Sequence, residues 1–424
     1  MSSTDTAIIG AGPYGLSLAA HLKAAGVPHQ IIGRPMDAWR NYMPPGMLLR
    51  SEAFASNLYA PQPGYTLEDY CRRNHLAYEA IGMPVPLEQF VDYGLWFQSA
   101  AVGDVRIADV MEMHRVNNLF QLRLSDGNSL AARRVVLALG LKGFAKTPVI
   151  LQGFPESHVS HSALYGSLNW ARQKDIAIVG GGQSALGLAA LLVELGARVH
   201  VLIRGSTIVW HEKPETARGW VSKLVHPDAG LGRGWRSHVL SEFPILFHML
   251  DHRRQKEIMD KSYGPAGAWW LRDRVLGKVK ISLRTEVRHV SIDGGQVALR
   301  TVSDGAQSCV MADHVVAATG FKTDLRRHEF ISTEILDSIA LSDGLPQLSR
   351  NFETSIPGLY VVGPATAHNF GPVMRFVYGA KHTAPRVAAH IGNAFHAGIQ
   401  DEAEWSQRKS PITDPAEQRS AGSL

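Results

Sequence analysis

Short apolar runs that break on glycine recur along the chain and organise it. The first, residues 7–9, enters the turn Gly10-Ala11-Gly12-Pro13-Tyr14-Gly15, a helical stretch over 13–25 stops at Gly26, and a second apolar run covers 29–32. This order, strand, helix, strand, marks a parallel, doubly wound sheet. It returns further on: a strand at 175–179, the turn Gly180-Gly181-Gly182-Gln183-Ser184-Ala185, a helix over 186–195 ended by Gly196, and a strand at 199–203. Two more buried strands, 134–140 and 314–320, exit in glycine; a third, 358–363, precedes a helix expected over 380–397.

Other segments depart from this pattern. Residues 44–91 are rich in proline and aromatics and read as loop, while 105–124 alternate as strands do. Strands are expected again at 279–283, 287–292 and 297–301. Over 205–277 the period becomes helical, with tryptophans at 210, 220, 235, 269 and 270, which read chiefly as core packing with a pocket lid as the alternative. The fold class is therefore α/β with two Rossmann-like domains. Residues 1–165 and 315–398 form the first, 166–314 an inserted second carrying the helical, Trp-rich insertion at 205–277, and 399–424 a flexible tail.

Composition narrows the classes of function. Of 424 residues, 45% are hydrophobic and 19% charged, an ordinary globular balance. The net charge of +5 comes from 43 basic and 38 acidic residues without a long basic run, so no nucleic-acid partner is expected. Cys71 and Cys309, the only two cysteines, supply neither a disulfide framework nor a Cys-x-x-Cys redox pair, which fits a reducing cytoplasm. No apolar stretch reaches the length of a spanning helix, and glycines interrupt the amino-terminal one, so a soluble protein is expected. His248 and His252 share a helical face but lack a His-Glu-x-x-His pattern or a third ligand, and no metal site is expected.

The chemistry lies in the glycine turns. In Gly10-x-Gly12-x-x-Gly15 the first glycine permits the turn, the second admits a pyrophosphate, and the third lets helix pack on strand; Pro13 opens a helix whose amino terminus faces the phosphates. The acid expected about 20 residues on is replaced by Gly33-Arg34, and Asp37 is the nearest carboxylate. The second fingerprint, Gly180-x-Gly182-x-x-Ala185 with Gln183 and Ser184, uses the alanine variant, and its second strand ends in Arg204, which suits a 2′-phosphate and favours NADPH, with a solvated surface charge as the alternative. Two dinucleotide sites in one chain imply a donor and an acceptor able to pass electrons on, a role a flavin fills.

With Ala318-Thr319-Gly320-Phe321, these fingerprints resemble the two-dinucleotide-binding-domain flavoproteins, most closely the flavin-containing and N-hydroxylating monooxygenases, over most of residues 5–395. The resemblance implies FAD at Gly10, Gly12, Pro13 and Gly15 and NADPH at Gly180, Gly182, Gln183, Ser184 and Ala185. It carries Thr319 and Gly320 with the Ala-Thr-Gly signature. Trp39 stands where the family has Gly-Gly-x-Trp, its paired glycines missing. Arg50 and Ser51 fall where the family covers the flavin ring, and Asn57 where an asparagine steadies the oxygenated flavin, with a plain loop asparagine as the alternative. Gly363-Pro364 replaces the Gly-Asp of disulfide-reductase relatives, and the loop carrying Met374 and Phe376 is implied to lie against the ring. The linker His161-Ser162-Ala163-Leu164-Tyr165 matches only the end of the family fingerprint, since Pro155 and Ser157 replace its Phe and Gly, which argues against a Baeyer–Villiger enzyme.

The expected reaction is reduction of FAD by NADPH, addition of O2 at the flavin C4a, and transfer of one oxygen atom to a nitrogen, sulfur or other soft nucleophile of a small molecule. The alternatives are a flavin-dependent NADPH oxidoreductase without oxygenation and a non-catalytic nucleotide-sensing flavoprotein.

Overall fold

The structure, a computed structural model, describes residues 2–262, 265–342 and 344–409. In the first unit β1 (Ser2–Ile9), α1 (Pro13–Ala24) and β2 (His29–Ile32) form the expected βαβ, with Ile8 opposite Ile31. The loop-rich stretch after it contains two helices, α2 (Leu67–Arg73) and α3 (Leu87–Phe97). The capping box of Thr66 and Asp69 starts α2, a signal outweighed in the sequence by the neighbouring prolines.

β3 (Val110–Val116) and β4 (Leu119–Leu124) make a hairpin, and β5 (Ser129–Leu137) joins it to β1. The sheet runs β2-β1-β5-β4-β3. Val135, Val136 and Leu137 are all fully buried, each worth about 1.5–3 kcal/mol of burial.

The second sheet collects β6 (Val159–His161), β7 (Asp175–Val179) and, after α4 (Gln183–Glu194), β8 (Arg198–Leu202). The insertion then supplies α5 (Trp220–Val225), α6 (Trp235–Glu242), α7 (Pro244–His248) and α8 (His252–Ser262). β9 (Lys280–Ser282) closes one edge, the antiparallel β10 (Thr285–Asp293), β11 (Gln296–Ser303) and β12 (Ala306–Ala312) follow, and β13 (His314–Ala317) pairs with both β7 and β6. Its order is β9-β8-β7-β13-β6.

This corrects the domain boundaries expected at 165 and 315. β6 and β13 were assigned to the first unit, but Val316 lies opposite Ile178 and Ser160, so both strands complete the second sheet. β14 (Leu359–Val361) returns to β5, and α9 (Ala380–Lys409) packs on the first unit, where the His396 ring meets the Ala25 carbonyl oxygen at 3.1 Å. The flexible tail expected from 399 is corrected in part, because the helix continues through Lys409; residues 410–424 lie outside the described ones.

The insertion packs mainly on the first unit: Phe247 and Met259 are buried in its core, and the His248 ring stacks on Phe370 at 4.7 Å. Its tryptophans divide. Trp210 and Trp270 are half-buried against the second core, while Trp220 and Trp235 are 75% and 58% exposed, so core packing does not describe them all. Among the described residues no helix is long and apolar enough to cross a membrane, and no group of three His, Cys, Asp or Glu side chains could hold a metal ion.

Candidate nucleotide cradles and the cavity between them

The two glycine turns are built alike. Gly10 has φ 115° and Gly180 φ 140°, conformations that glycine adopts without strain. A Cβ on either would stand 2.3 Å from a carbonyl oxygen, that of Ala138 or of Ala318, where the neighbouring strand passes beneath. The Gly10 amide donates to Ile32 at 2.8 Å and the Gly180 amide to Leu202 at 3.0 Å, which anchors each turn to its second strand.

Gly12 and Gly182 cap α1 and α4 with no side-chain cap bond, leaving the first-turn N–H groups at each helix start open to a ligand. A Cβ on Gly12 would meet nothing within 4 Å, and one on Gly182 would come no nearer than 3.9 Å to Pro265. Both turns thus leave their second glycine uncovered, as close approach of a pyrophosphate to the backbone requires. The third positions differ: a Cβ on Gly15 would stand 1.9 Å from the Gly10 carbonyl oxygen, whereas the second helix accommodates Ala185, fully buried. Pro13 is buried at the start of α1, and Ser184 is exposed in the first turn of α4.

A cavity of ≈ 290 Å³ lies between the units, lined by Arg50, Ser51, Glu52, Phe54 and Phe376 of the first and by His211, Trp269 and Trp270 of the insertion. Two hydrogen-bond contacts link its opposite walls to the cradles. The phenolic oxygen of Tyr14, in the first fingerprint, lies 2.8 Å from the Phe376 carbonyl oxygen; the Ala268 amide, beside Trp269, donates to Gln183 Oε1 of the second at 2.8 Å.

Arg50 donates through Nη2 to His211 Nε2, so the imidazole is neutral there. Burial, then the Arg50 charge, lower the His211 pKa; burial and Arg375 lower that of Arg50. Glu52 Oε2 accepts the Gly82 amide at 2.7 Å, and burial raises its carboxyl pKa. Asp228 is paired with Arg218 and with Arg233.

Other expected site residues are placed differently. Asn57 does not line the cavity: Nδ2 donates to the Phe54 carbonyl at 2.9 Å and Oδ1 accepts the Leu67 amide at 2.8 Å, so its amide closes the loop ahead of α2. These bonds are those of a loop asparagine, the alternative to the catalytic reading. Trp39 packs edge-on against Phe90 at 4.7 Å, and Met374 is fully buried. Thr319 and Gly320 bind the crossing segment, Thr319 Oγ1 donating to the Lys146 carbonyl and the Gly320 carbonyl accepting the Lys146 amide at 2.9 Å. Gly363, at φ 80°, lies against the Tyr14 ring. Arg204 is exposed and has no ion-pair partner among the described residues; Arg34 pairs with Asp109. Tyr14, Glu52 and His211 join the site without having been marked in the sequence, because only folding brings them to one cavity, while Trp269 and Trp270 line it as the pocket alternative for the tryptophans allowed.

Comparisons with known proteins find the same fold in solved structures. An ornithine N-hydroxylase from Kutzneria sp. 744 superimposes with a TM-score of 0.73 at 15% identity, over 92% of this chain and 99% of its own. The ornithine hydroxylase of Pseudomonas aeruginosa gives 0.71 at 17%, over 92% and 99%. Both show the fold. Among curated proteins, an FAD-dependent urate hydroxylase from Xanthomonas campestris is 26% identical over 226 residues, 48% of this chain and 46% of the relative, so the match spans less than half the length of either. The family model described as L-lysine 6-monooxygenase/L-ornithine 5-monooxygenase matches residues 2–323, about three quarters of the sequence, and the chain belongs to that family.

Proposed function

We propose that the protein is an FAD- and NADPH-dependent monooxygenase that places one oxygen atom from O2 on the nitrogen of a small amine. The observation that carries this reading is the pair of links, Tyr14 to Phe376 and Gln183 to Ala268, that join two matched nucleotide cradles to one cavity. Family membership supports the reaction class. The first cradle, Gly10 to Gly15, is assigned to FAD and the second, Gly180 to Ala185 with Arg204, to NADPH.

Bound FAD would supply hydride acceptance and the activation of O2, chemistry no side chain of this protein provides. The chain positions, shields and handles protons. Phe54, Phe376, Trp269 and Trp270 wall the cavity with aromatic surface that limits water. Arg50, fixed by His211, places one positive charge on the wall, where it can meet the phosphate of a ligand. An ammonium group must lose a proton before its nitrogen can act as a nucleophile; of the carboxylates lining the cavity, Asp228 is paired with two arginines and Glu212 is exposed, and Glu52 is assigned to hold the proton on Oε1, its Oε2 being engaged by Gly82.

The test is NADPH-dependent O2 uptake by the flavin-loaded protein over a panel of primary amines, thioethers and ketones, with product analysis. The reading requires an N-hydroxylated product in step with NADPH consumption for at least one amine. Hydrogen peroxide as the sole product across the panel would reject it.

A further inference from the structure

The second strand of each βαβ unit ends beside an arginine, an arrangement that by itself would make both sites suited to a 2′-phosphate. The structure separates them. Arg204 has no ion-pair partner among the described residues, whereas Arg34 Nη1 reaches both carboxylate oxygens of Asp109, at 2.8 and 3.0 Å. Asp109 lies outside the βαβ unit. Arg106 bridges in parallel to Ile32 and its carbonyl accepts the Gly33 amide at 2.9 Å, which brings the segment carrying Asp109 beside the end of β2.

Gly33 sits on the first cradle, where a Cβ would be 3.2 Å from the Ala11 amide nitrogen. Asp109 is held from behind, its amide donating to Ser125 Oγ at 2.9 Å, and its side chain remains 57% exposed. Asp37, the carboxylate nearest in sequence, instead accepts from Asn41 Nδ2 at 2.6 Å.

We propose that Asp109, clamped by Arg34, is the ribose-binding carboxylate of the first nucleotide site. By neutralising Arg34 it makes that site take an adenosine ribose without a 2′-phosphate, while Arg204 takes a 2′-phosphorylated one. The inference rests on the reading that the first cradle holds FAD. A carboxylate accepts from the ribose hydroxyls and repels a phosphate; without it the guanidinium attracts one.

The test follows flavin release from the full-length holoprotein by free-flavin fluorescence, with 2′,5′-ADP as competitor. Asp109→Asn is expected to hold FAD about tenfold more weakly, the scale of one lost charge-assisted hydrogen bond, and to release it when 2′,5′-ADP is added; the wild type should not respond to the competitor. Adding Arg34→Gln to Asp109→Asn should abolish the competition and leave FAD weakly held. Asp109 is an exposed side chain, so neither change threatens the core. Wild-type affinity in Asp109→Asn with no response to 2′,5′-ADP would overturn the inference while leaving the FAD reading intact. A wild type that takes up no FAD would overturn both.

Discussion

The phenolic oxygen of Tyr14 stands 2.9 Å from the carbonyl oxygen of Met374, joining positions 360 residues apart in the chain. Tyr14 reaches from the first fingerprint to the loop at the cavity wall through its side chain, and Gly379 makes room for it, since a Cβ there would lie 2.1 Å from the phenol oxygen. Tyr14→Phe should destabilise the protein by about 1–2 kcal/mol, because a buried carbonyl loses its donor, and should speed flavin release. Urea titration and flavin fluorescence check this; wild-type values in both would contradict it.

Gly12 and Gly15 should respond differently to alanine. A Cβ on Gly15 would overlap the Gly10 carbonyl, so Gly15→Ala is expected to cost about 1–3 kcal/mol or more even without cofactor. Gly12→Ala meets open space and should leave apoprotein stability within about 0.5 kcal/mol while lowering flavin content. Equal melting losses for the two would mean that the opening at Gly12 is not reserved for a ligand.

Arg204→Ala should raise KM for NADPH by about tenfold or more, the loss of a charge-assisted contact to phosphate, and barely change KM for NADH. Steady-state kinetics with both nucleotides decides it, and equal effects would remove Arg204 from the 2′-phosphate site.

Much of this was legible in the sequence because local backbone demands wrote it there. Gly10, Gly12, Gly15, Gly180 and Gly182 each mark a positive φ, a close approach or an opening, and β2 and β7 coincide with the strands expected at 29–32 and 175–179, whereas β1 begins five residues earlier than expected and α4 three. Long-range pairing was not legible. Nothing in the apolar run at His314–Ala317 says which sheet it joins, so β13 was placed in the wrong unit. The bonds of Asn57 were not legible for a related reason: its partners, Phe54 and Leu67, are backbone groups whose availability depends on how the loop turns. Asp109 escaped notice because the acid was sought on β2 itself.

Asn57→Ala separates the loop reading from the catalytic one. Losing two hydrogen bonds to backbone should cost about 1–2 kcal/mol of stability, and turnover per bound flavin should stay near that of the wild type. A collapse of turnover with full flavin occupancy and unchanged stability would restore a catalytic role.

Acid should weaken the second unit through His200 on β8, whose pKa is pushed down from 6.5 to about 4 by burial and by Lys280. The unfolded chain takes up a proton near pH 6.5 and the folded one only near 4, so the stability this residue contributes is present above pH 6.5 and is lost as pH falls through that window. Urea midpoints should drop between pH 7 and pH 5, and less steeply in His200→Gln. An identical slope in the variant would assign the acid sensitivity elsewhere.

The central claim, that two cradles hold FAD and NADPH across one cavity, is tested most directly by anaerobic stopped-flow mixing of the flavin-loaded protein with NADPH. The account predicts that the yellow absorbance bleaches on mixing, faster with NADPH than with NADH, and returns when O2 is admitted. A protein that takes up no FAD, or holds it and is not bleached by NADPH, would contradict it.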